Sequence, residues 1–190
     1  MRIDLTLVNK DHPLPGDWTE KTELVSGKNA LHEEYRLEKE TMKHFLALRD
    51  RLLREGIEID VESAYRSIEK QAEVWAEFER DCGLKYCRRY VAAPGCSEHH
   101  TGLALDICFV RDGAYMEGES AEKDALFARV HAVMPEYGFI LRYLPGKEAI
   151  TGYAYEPWHL RYVGIEPAQE IAGKGWTLEE YLEQEKSDDR

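Results

Sequence analysis

The stretch from Leu103 to Val110 alternates between large apolar side chains and small or polar ones. In an extended strand, successive side chains point to opposite faces of the sheet. One face of this strand would carry only large apolar residues, namely Leu103, Leu105, Ile107 and Phe109. The other face would carry Asp106 between two small neighbours, with room for a metal ion above the carboxylate. An ordinary half-exposed strand has the same alternation, so the pattern by itself predicts a one-sided sheet and not a site.

The remaining chain divides into helical and extended patterns. Helices are predicted over 33–55, over 68–81 after a Ser67 cap, over 121–134, and from Thr177, where Thr177 and Glu180 fit a capping box. Strands are predicted at 57–62, 138–143 and 158–163, and residues 110–120 are predicted to be a loop. The opening of the chain looks irregular, with a candidate short strand at 3–8. Together these elements predict an α+β fold, with a mainly antiparallel sheet and helices packed on one face, so that a metal ion at Asp106 would lie on the other face or at its edge.

The composition sets limits on the class of protein. With 190 residues and 43% hydrophobic residues, the chain is predicted to form a single domain over 1–190. A formal net charge of −12 argues against nucleic acid as a partner, and no stretch is apolar enough to span a membrane. The start lacks the apolar run of a secretory signal, which predicts a cytoplasmic protein with reduced cysteines. Nothing in the composition indicates an oligomeric state.

Two segments, 97–106 and 156–159, carry the side chains of a metal centre. They contain as candidate ligands His99, His100, Asp106 and His159, with Glu156 as a further carboxylate. A hydrolytic zinc centre requires three protein ligands, an open position for water and a nearby base, and these segments supply that inventory. Pro157 makes a helical arrangement implausible, so we expect a loop that leads into a strand. The chain is therefore predicted to be a metallohydrolase that uses Zn²⁺.

A family resemblance follows from these motifs. The pattern Ser97-x-His99-x-x-Gly102-x-Ala104-x-Asp106, followed by Glu156-x-x-His159, resembles the zinc D-alanyl-D-alanine peptidases. That superfamily is shared with lysostaphin-type enzymes and the Hedgehog signalling domain. Residues 93–99, 137–143 and 63–67 with Gln71 are similar to the vancomycin-resistance D,D-carboxypeptidases, especially the bifunctional dipeptidase and carboxypeptidase branch.

The resemblance implies a role for each candidate residue. The implied zinc ligands are His99, Asp106 and His159. Glu156 is implied as the general base, Arg66 as the group that stabilises the reacting carbonyl oxygen, and Ser97 and Gln71 as substrate contacts. Tyr155, which precedes Glu156, is a further candidate for substrate binding, although packing beneath the cavity explains its position equally well.

The expected activity is zinc-dependent release of D-alanine from a small peptide that ends in D-Ala-D-Ala. The substrate would be the dipeptide, a peptidoglycan pentapeptide precursor or both, in a setting of vancomycin resistance. One alternative keeps the chemistry and changes the substrate, as an L,D-endopeptidase of peptidoglycan. Another is a zinc-stabilised, non-enzymatic binding domain, which would not need Glu156 as a base or Arg66 beside it.

Overall fold

The computed structural model describes residues 3–116 and 118–188. Its strands are β1 (Leu24–Lys28), β2 (Glu34–Glu38), β3 (Ile59–Ser63), β4 (Ala104–Arg111), β5 (Ala114–Tyr115), β6 (Phe139–Leu141) and β7 (His159–Tyr162). Its α-helices are α1 (Trp18–Lys21), α2 (Lys39–Leu53), α3 (Ile68–Cys82), α4 (Leu84–Tyr90), α5 (Ala121–Val133), α6 (Glu148–Thr151), α7 (Ile165–Lys174) and α8 (Leu178–Asp188). Short 3₁₀ turns lie at Ile3–Leu5, Glu98–Thr101 and Met134–Tyr137. Within the described ranges, no helix is both long and apolar enough to cross a membrane.

The main sheet has the strand order β3-β4-β7-β6, and β5 pairs with the end of β4. Every pair in it is antiparallel, and β1 and β2 form a separate antiparallel hairpin. The predicted α+β class with a mainly antiparallel sheet is therefore confirmed.

The central strand β4 separates the hydrophobic core from the candidate site. Its large apolar residues are buried together with side chains of α2 and α5, including Phe45, Leu48, Leu52, Phe127 and Val130. Asp106 points to the other face, into a cavity whose wall includes Val74 and Phe78 of α3 and Tyr86 and Tyr90 of α4. Helices α2 and α5 thus cover one face of β4, and α3 and α4 enclose the site on the other.

The helix predicted over 33–55 is wrong at its start, because residues 34–38 form strand β2 of the hairpin. Helix α2 begins at Lys39, after Glu38 turns out of the strand. The Glu38 side chain then caps the helix, accepting hydrogen bonds from the main-chain nitrogens of Glu40 and Thr41 at 3.0 and 2.8 Å. Pairing with β1 across the hairpin overrides the helical propensity of the Glu-rich segment.

The strand predicted at 3–8 is also wrong, since Ile3–Leu5 is a 3₁₀ turn. The Arg161 side chain donates hydrogen bonds to the main-chain carbonyls of Asp4 and Thr6 at 3.0 and 2.7 Å. A buried guanidinium, and not a neighbouring strand, satisfies these carbonyl groups.

Other predicted elements are confirmed. The Ser67 side chain caps α3, accepting from the Lys70 main-chain nitrogen at 3.1 Å. At the start of α8, the main-chain nitrogen of Thr177 donates to Glu180 Oε2 at 2.7 Å, and that of Glu180 donates to Thr177 Oγ1 at 3.2 Å. The predicted loop at 110–120 contains the short strand β5, and its residue Glu117 lies outside the described residues.

Candidate active site

Side chains from three elements converge beside β4: His99 from a 3₁₀ turn, Asp106 from β4 and His159 from β7. One possible ligand atom from each residue lies within 4.8 Å of the others. His99 Nε2 lies 3.2 Å from Asp106 Oδ2, and His159 Nδ1 lies 3.0 Å from Asp106 Oδ1. The carboxylate therefore lies between the two imidazoles, with one ring nitrogen directed at each oxygen.

Local backbone structure explains why this spacing brings the three residues together. Asp106 and His159 are direct partners in the antiparallel register of β4 and β7. The turn that carries His99 is capped by Ser97 Oγ, which accepts from the His99 main-chain nitrogen at 3.3 Å. It ends at Gly102, where φ is 73° and an added Cβ would lie 2.9 Å from the main-chain nitrogen of Glu38. Only glycine suits both this left-handed conformation and this close approach.

The structure gives His99 and its neighbour His100 different roles. His99 Nδ1 lies 2.7 Å from the Ala64 carbonyl, which accepts a hydrogen bond from the Nδ1–H group. The Nε2 lone pair then faces Asp106. In His100, Nε2 accepts from the main-chain nitrogen of Gly95 at 3.0 Å, and Nδ1 donates to the Arg66 carbonyl at 2.8 Å. Both His100 nitrogens are therefore used to hold the surrounding loops together.

The donor set of His99, Asp106 and His159 fits a zinc ion. Burial lowers the pKa of His99 to about 4, which keeps that ring neutral and able to offer a lone pair. Burial would also lower the pKa of His159, but its hydrogen bond to Asp106 and the nearby Glu98 carboxylate raise it to about 9. A cation between the ligands would displace that proton, as metal binding to histidine commonly does. Two imidazole nitrogens and one carboxylate are a ligand set found in zinc enzymes that keep an open position.

Glu156 lies beside this cluster but outside it. Its Oε2 is 3.8 Å from His159 Nδ1, and its side chain is buried. Burial, together with the nearby Asp106, raises the pKa of Glu156 to about 8, although His159 and Arg66 oppose the shift. A carboxyl group with a pKa in this range can exchange a proton near neutral pH.

Arg66 also lies near Asp106, with its Nη2 3.8 Å from Asp106 Oδ2. The Arg66 main-chain nitrogen donates to the His99 carbonyl at 3.1 Å, which ties its position to the turn of that ligand. Its Nε is buried and has no hydrogen-bond partner among the described residues. The guanidinium therefore has a donor available for a further acceptor in the cavity.

Ser97 and Gln71 line the same cavity of about 170 Å³ as the three candidate ligands and Glu156. Gln71 Nε2 donates to the Ala92 carbonyl at 2.8 Å, whereas Gln71 Oε1 is buried and has no partner in the described part of the chain. Tyr155 is 43% exposed and lines an adjoining cavity instead. Trp158 belongs to the walls of both cavities.

Sequence reasoning missed two groups of residues. Tyr143 and Tyr153 are buried in the cavity wall, and the Tyr143 ring centroid lies 4.9 Å from that of His159. The second group is a buried ion network of Glu98, Arg142, Arg161 and Glu179. An arginine inside each of the apolar segments 138–143 and 158–163 was the available signal, because a guanidinium there needs a buried carboxylate partner.

Comparison with known proteins identifies the family. A family model described as VanY, D-alanyl-D-alanine carboxypeptidase, matches residues 34–165, which is more than half of the chain. The chain belongs to the VanY family. The family membership and fold class predicted from the sequence are therefore confirmed.

Individual VanY-family and related proteins match over almost the whole chain. The bifunctional D-Ala-D-Ala dipeptidase and D-Ala-D-Ala carboxypeptidase VanXYC of Enterococcus gallinarum is 40% identical over 185 residues, covering 93% of this chain and 92% of that protein. A crystal structure of a mutant vancomycin resistance D,D-pentapeptidase VanY from a VanB-type cassette, in complex with Zn(II), is 34% identical with a TM-score of 0.79. The match covers 95% of this chain and 99% of that one. The LD-carboxypeptidase LdcB is 38% identical with a TM-score of 0.81, over 95% of this chain and 86% of LdcB.

Proposed function

We propose that this VanY-family chain is a zinc peptidase that releases D-alanine from peptides ending in D-Ala-D-Ala. One observation carries the proposal: a compact set of three ligands, His99, Asp106 and His159, has a buried carboxylate beside it that is not part of the set. A purely structural site has no use for such a base. The names of the relatives, which include a D-Ala-D-Ala dipeptidase and carboxypeptidase, support the choice of substrate.

His99 Nε2, the Asp106 carboxylate and His159 Nδ1 would hold the zinc ion. Bound there, zinc supplies a Lewis acid that polarises the scissile carbonyl and makes water nucleophilic at neutral pH. Glu156 accepts the proton of the attacking water and returns it to the departing amine of D-alanine. The raised pKa of Glu156 suits a group that takes up and gives back one proton in each turnover.

Arg66 stabilises the negative charge that develops on the carbonyl oxygen. Its contact with the Asp106 carboxylate is 3.8 Å long, and its buried Nε has no hydrogen-bond partner among the described residues, so the guanidinium can donate to the carbonyl oxygen. Gln71 Oε1 offers an acceptor for an N–H group of the substrate, and Ser97 lines the same wall. The proposed substrate role of Gln71 rests on this oxygen without a partner among the described residues, and that of Ser97 rests on its position in the cavity wall.

The decisive experiment measures D-alanine release by the purified, zinc-loaded chain. The substrates are D-Ala-D-Ala and a pentapeptide precursor with the same terminus, and Glu156→Gln is the matched variant. We expect release from at least one substrate and its loss in the variant at full zinc content. The absence of release from both substrates by the zinc-loaded wild type would refute the proposal.

A second candidate activity is L,D-carboxypeptidase, which is favoured by the similarity to LdcB. The discriminating substrate is a matched peptide whose penultimate residue has the L configuration. Faster release of D-alanine from that peptide would assign the site to L,D-cleavage. The L,D-endopeptidase and the non-enzymatic binding domain expected as alternatives differ from both in releasing no terminal D-alanine.

Three further expectations remain predictions. They are a cytoplasmic location, which fractionation of the host cells would test, and a single folding unit over 1–190, which calorimetric unfolding as one transition would test. The third is that a small peptide is the partner and nucleic acid is not, for which the acidic charge of −12 is the support.

A further inference from the structure

Glu98 precedes the candidate ligand His99 and has a fully buried carboxylate, with 0% of the side chain exposed. Both buried arginines use the same oxygen of that carboxylate. Arg142 Nε donates to Glu98 Oε1 at 2.7 Å, and Arg161 Nη1 donates to it at 2.6 Å. The second oxygen, Oε2, is left free of either guanidinium.

Glu98 Oε2 faces the outer nitrogen of the candidate ligand His159. The distance from His159 Nε2 to Glu98 Oε2 is 3.5 Å, slightly longer than an N–H···O hydrogen bond. Both atoms are buried, and neither has a hydrogen-bond partner elsewhere in the described ranges. Since a buried polar group without a partner is costly, a small shift that forms a hydrogen bond between these two atoms is favourable.

The pairing matters because an imidazole binds a metal only through a nitrogen that carries no proton. His159 directs Nδ1 at Asp106, so Nδ1 is the nitrogen that faces the ligand cluster. Its remaining proton then belongs on Nε2, where it needs an acceptor. We propose that Glu98 is a positioning residue that accepts the Nε2 proton of His159 and so holds that ring with Nδ1 free for the metal. This inference rests on the zinc site of the proposed function.

The arginines make a buried carboxylate possible at this position. Glu179 at the start of α8 binds Arg142 through both oxygens, at 2.6 and 2.9 Å. The network of Glu98, Glu179, Arg142 and Arg161 thus contains two negative and two positive side chains. Its charges balance without a charge on His159, which agrees with a neutral imidazole as the ligand.

Two matched substitutions separate positioning from simple packing. Both Glu98→Gln and Glu179→Gln remove one carboxylate from Arg142, but only Glu98 faces His159. In Glu98→Gln, the amide oxygen is drawn to the two guanidinium groups and its NH₂ group then faces His159 Nε2. A donor at that position favours the wrong tautomer, with the proton on Nδ1. We therefore expect zinc affinity, measured by competition with a chelator, to fall by about 10–100-fold. In Glu179→Gln we expect thermal stability to fall and zinc affinity to remain at the wild-type value.

Equal zinc affinity in the two variants would overturn the positioning role, whatever their activities. A measurement on the zinc-loaded wild type covers the case in which Glu98→Gln does not fold. Long-range ¹H–¹⁵N spectra report which ring nitrogen carries the proton, and we expect Nε2 for His159 and Nδ1 for His99. A proton on Nδ1 of His159 would equally overturn the role. Failure of the wild type to bind zinc would refute the proposed function as well, whereas normal zinc binding with an unaffected Glu98→Gln variant would refute only this inference.

Discussion

Asp106 and His159 are 53 residues apart in the chain, yet they are direct partners in the register of β4 and β7, with Asp106 Oδ1 3.0 Å from His159 Nδ1. The side-chain period of a strand is two residues, so a register slip of one residue would turn His159 to the opposite face. The site thus depends on the same pairing that holds the sheet together.

His99→Ala should remove zinc from the protein, whereas His100→Ala should retain it. His99 Nε2 faces Asp106, but both nitrogens of His100 bind the main chain of Gly95 and Arg66. The neighbouring histidine is therefore a matched control that should lose only about 1–3 kcal/mol of stability. Metal analysis after dialysis measures the difference. Full zinc occupancy in His99→Ala would show that His99 is not a zinc ligand.

Glu156→Gln should keep zinc and lose turnover, because an amide next to the water cannot accept its proton. Loss of a general base costs about 10²–10⁴-fold in kcat. Glu148→Gln is the control, since that residue forms an exposed ion pair with Arg89 and does not line the cavity. A Glu156→Gln enzyme with full zinc and near-normal kcat would remove Glu156 from the reaction.

Arg66→Lys should lower kcat by about 10²–10³-fold, the range seen when an oxyanion donor is removed. Lysine keeps the charge, but it lacks the planar fork of donors, which in Arg66 includes a buried Nε without a partner among the described residues. Zinc content should be unchanged, because Arg66 is not a ligand. Arg129→Lys, at an exposed pair with Glu55, controls for the substitution itself. Wild-type kcat in Arg66→Lys would reduce Arg66 to an ion-pair partner of Asp106.

Gln71→Leu should raise KM with a smaller effect on kcat. The Oε1 atom is buried without a partner in the described ranges, so its removal deprives the substrate, and not the fold, of an acceptor. A lost hydrogen bond of this kind costs about 1–3 kcal/mol, which is about 5- to 160-fold in kcat/KM. Steady-state kinetics at fixed zinc content separate the two constants. An unchanged KM would restrict Gln71 to its structural bond with the Ala92 carbonyl.

Local sequence was sufficient for elements whose signals lie within the element itself. Helix α3 begins after the Ser67 cap, and β4 shows the alternation that places Asp106 opposite the core. The hairpin of β1 and β2 could not be predicted in this way, because residues 34–38 have helical composition and become a strand only by pairing with 24–28. Tertiary pairing decided that segment.

The same distinction applies to the site. Spacing within 97–106 and 156–159 was enough to name His99, Asp106, His159 and Glu156 as candidates. The pairing of Glu98 with arginines 44 and 63 residues away in the chain was not predictable from spacing, because nothing local links them. Of the two neighbouring histidines, the family resemblance implied His99 as the ligand, and the carbonyl groups that the two rings contact give the physical reason.

Tyr155 provides the test of substrate length. The sequence made it a candidate substrate contact, but it lies in the adjoining cavity, which it shares with Met116 and Trp158. A dipeptide held at the three candidate ligands would not extend past Trp158, whereas a longer peptide would have further residues to place there. Tyr155→Ala should therefore leave kcat/KM for D-Ala-D-Ala unchanged and alter kcat/KM for the pentapeptide precursor. Competition between the two substrates in one reaction gives the ratio directly, with zinc content as the check on the site. An equal effect on both substrates would mean that Tyr155 acts through Glu156, its neighbour in the chain, and that selection for length lies in another part of the cavity wall.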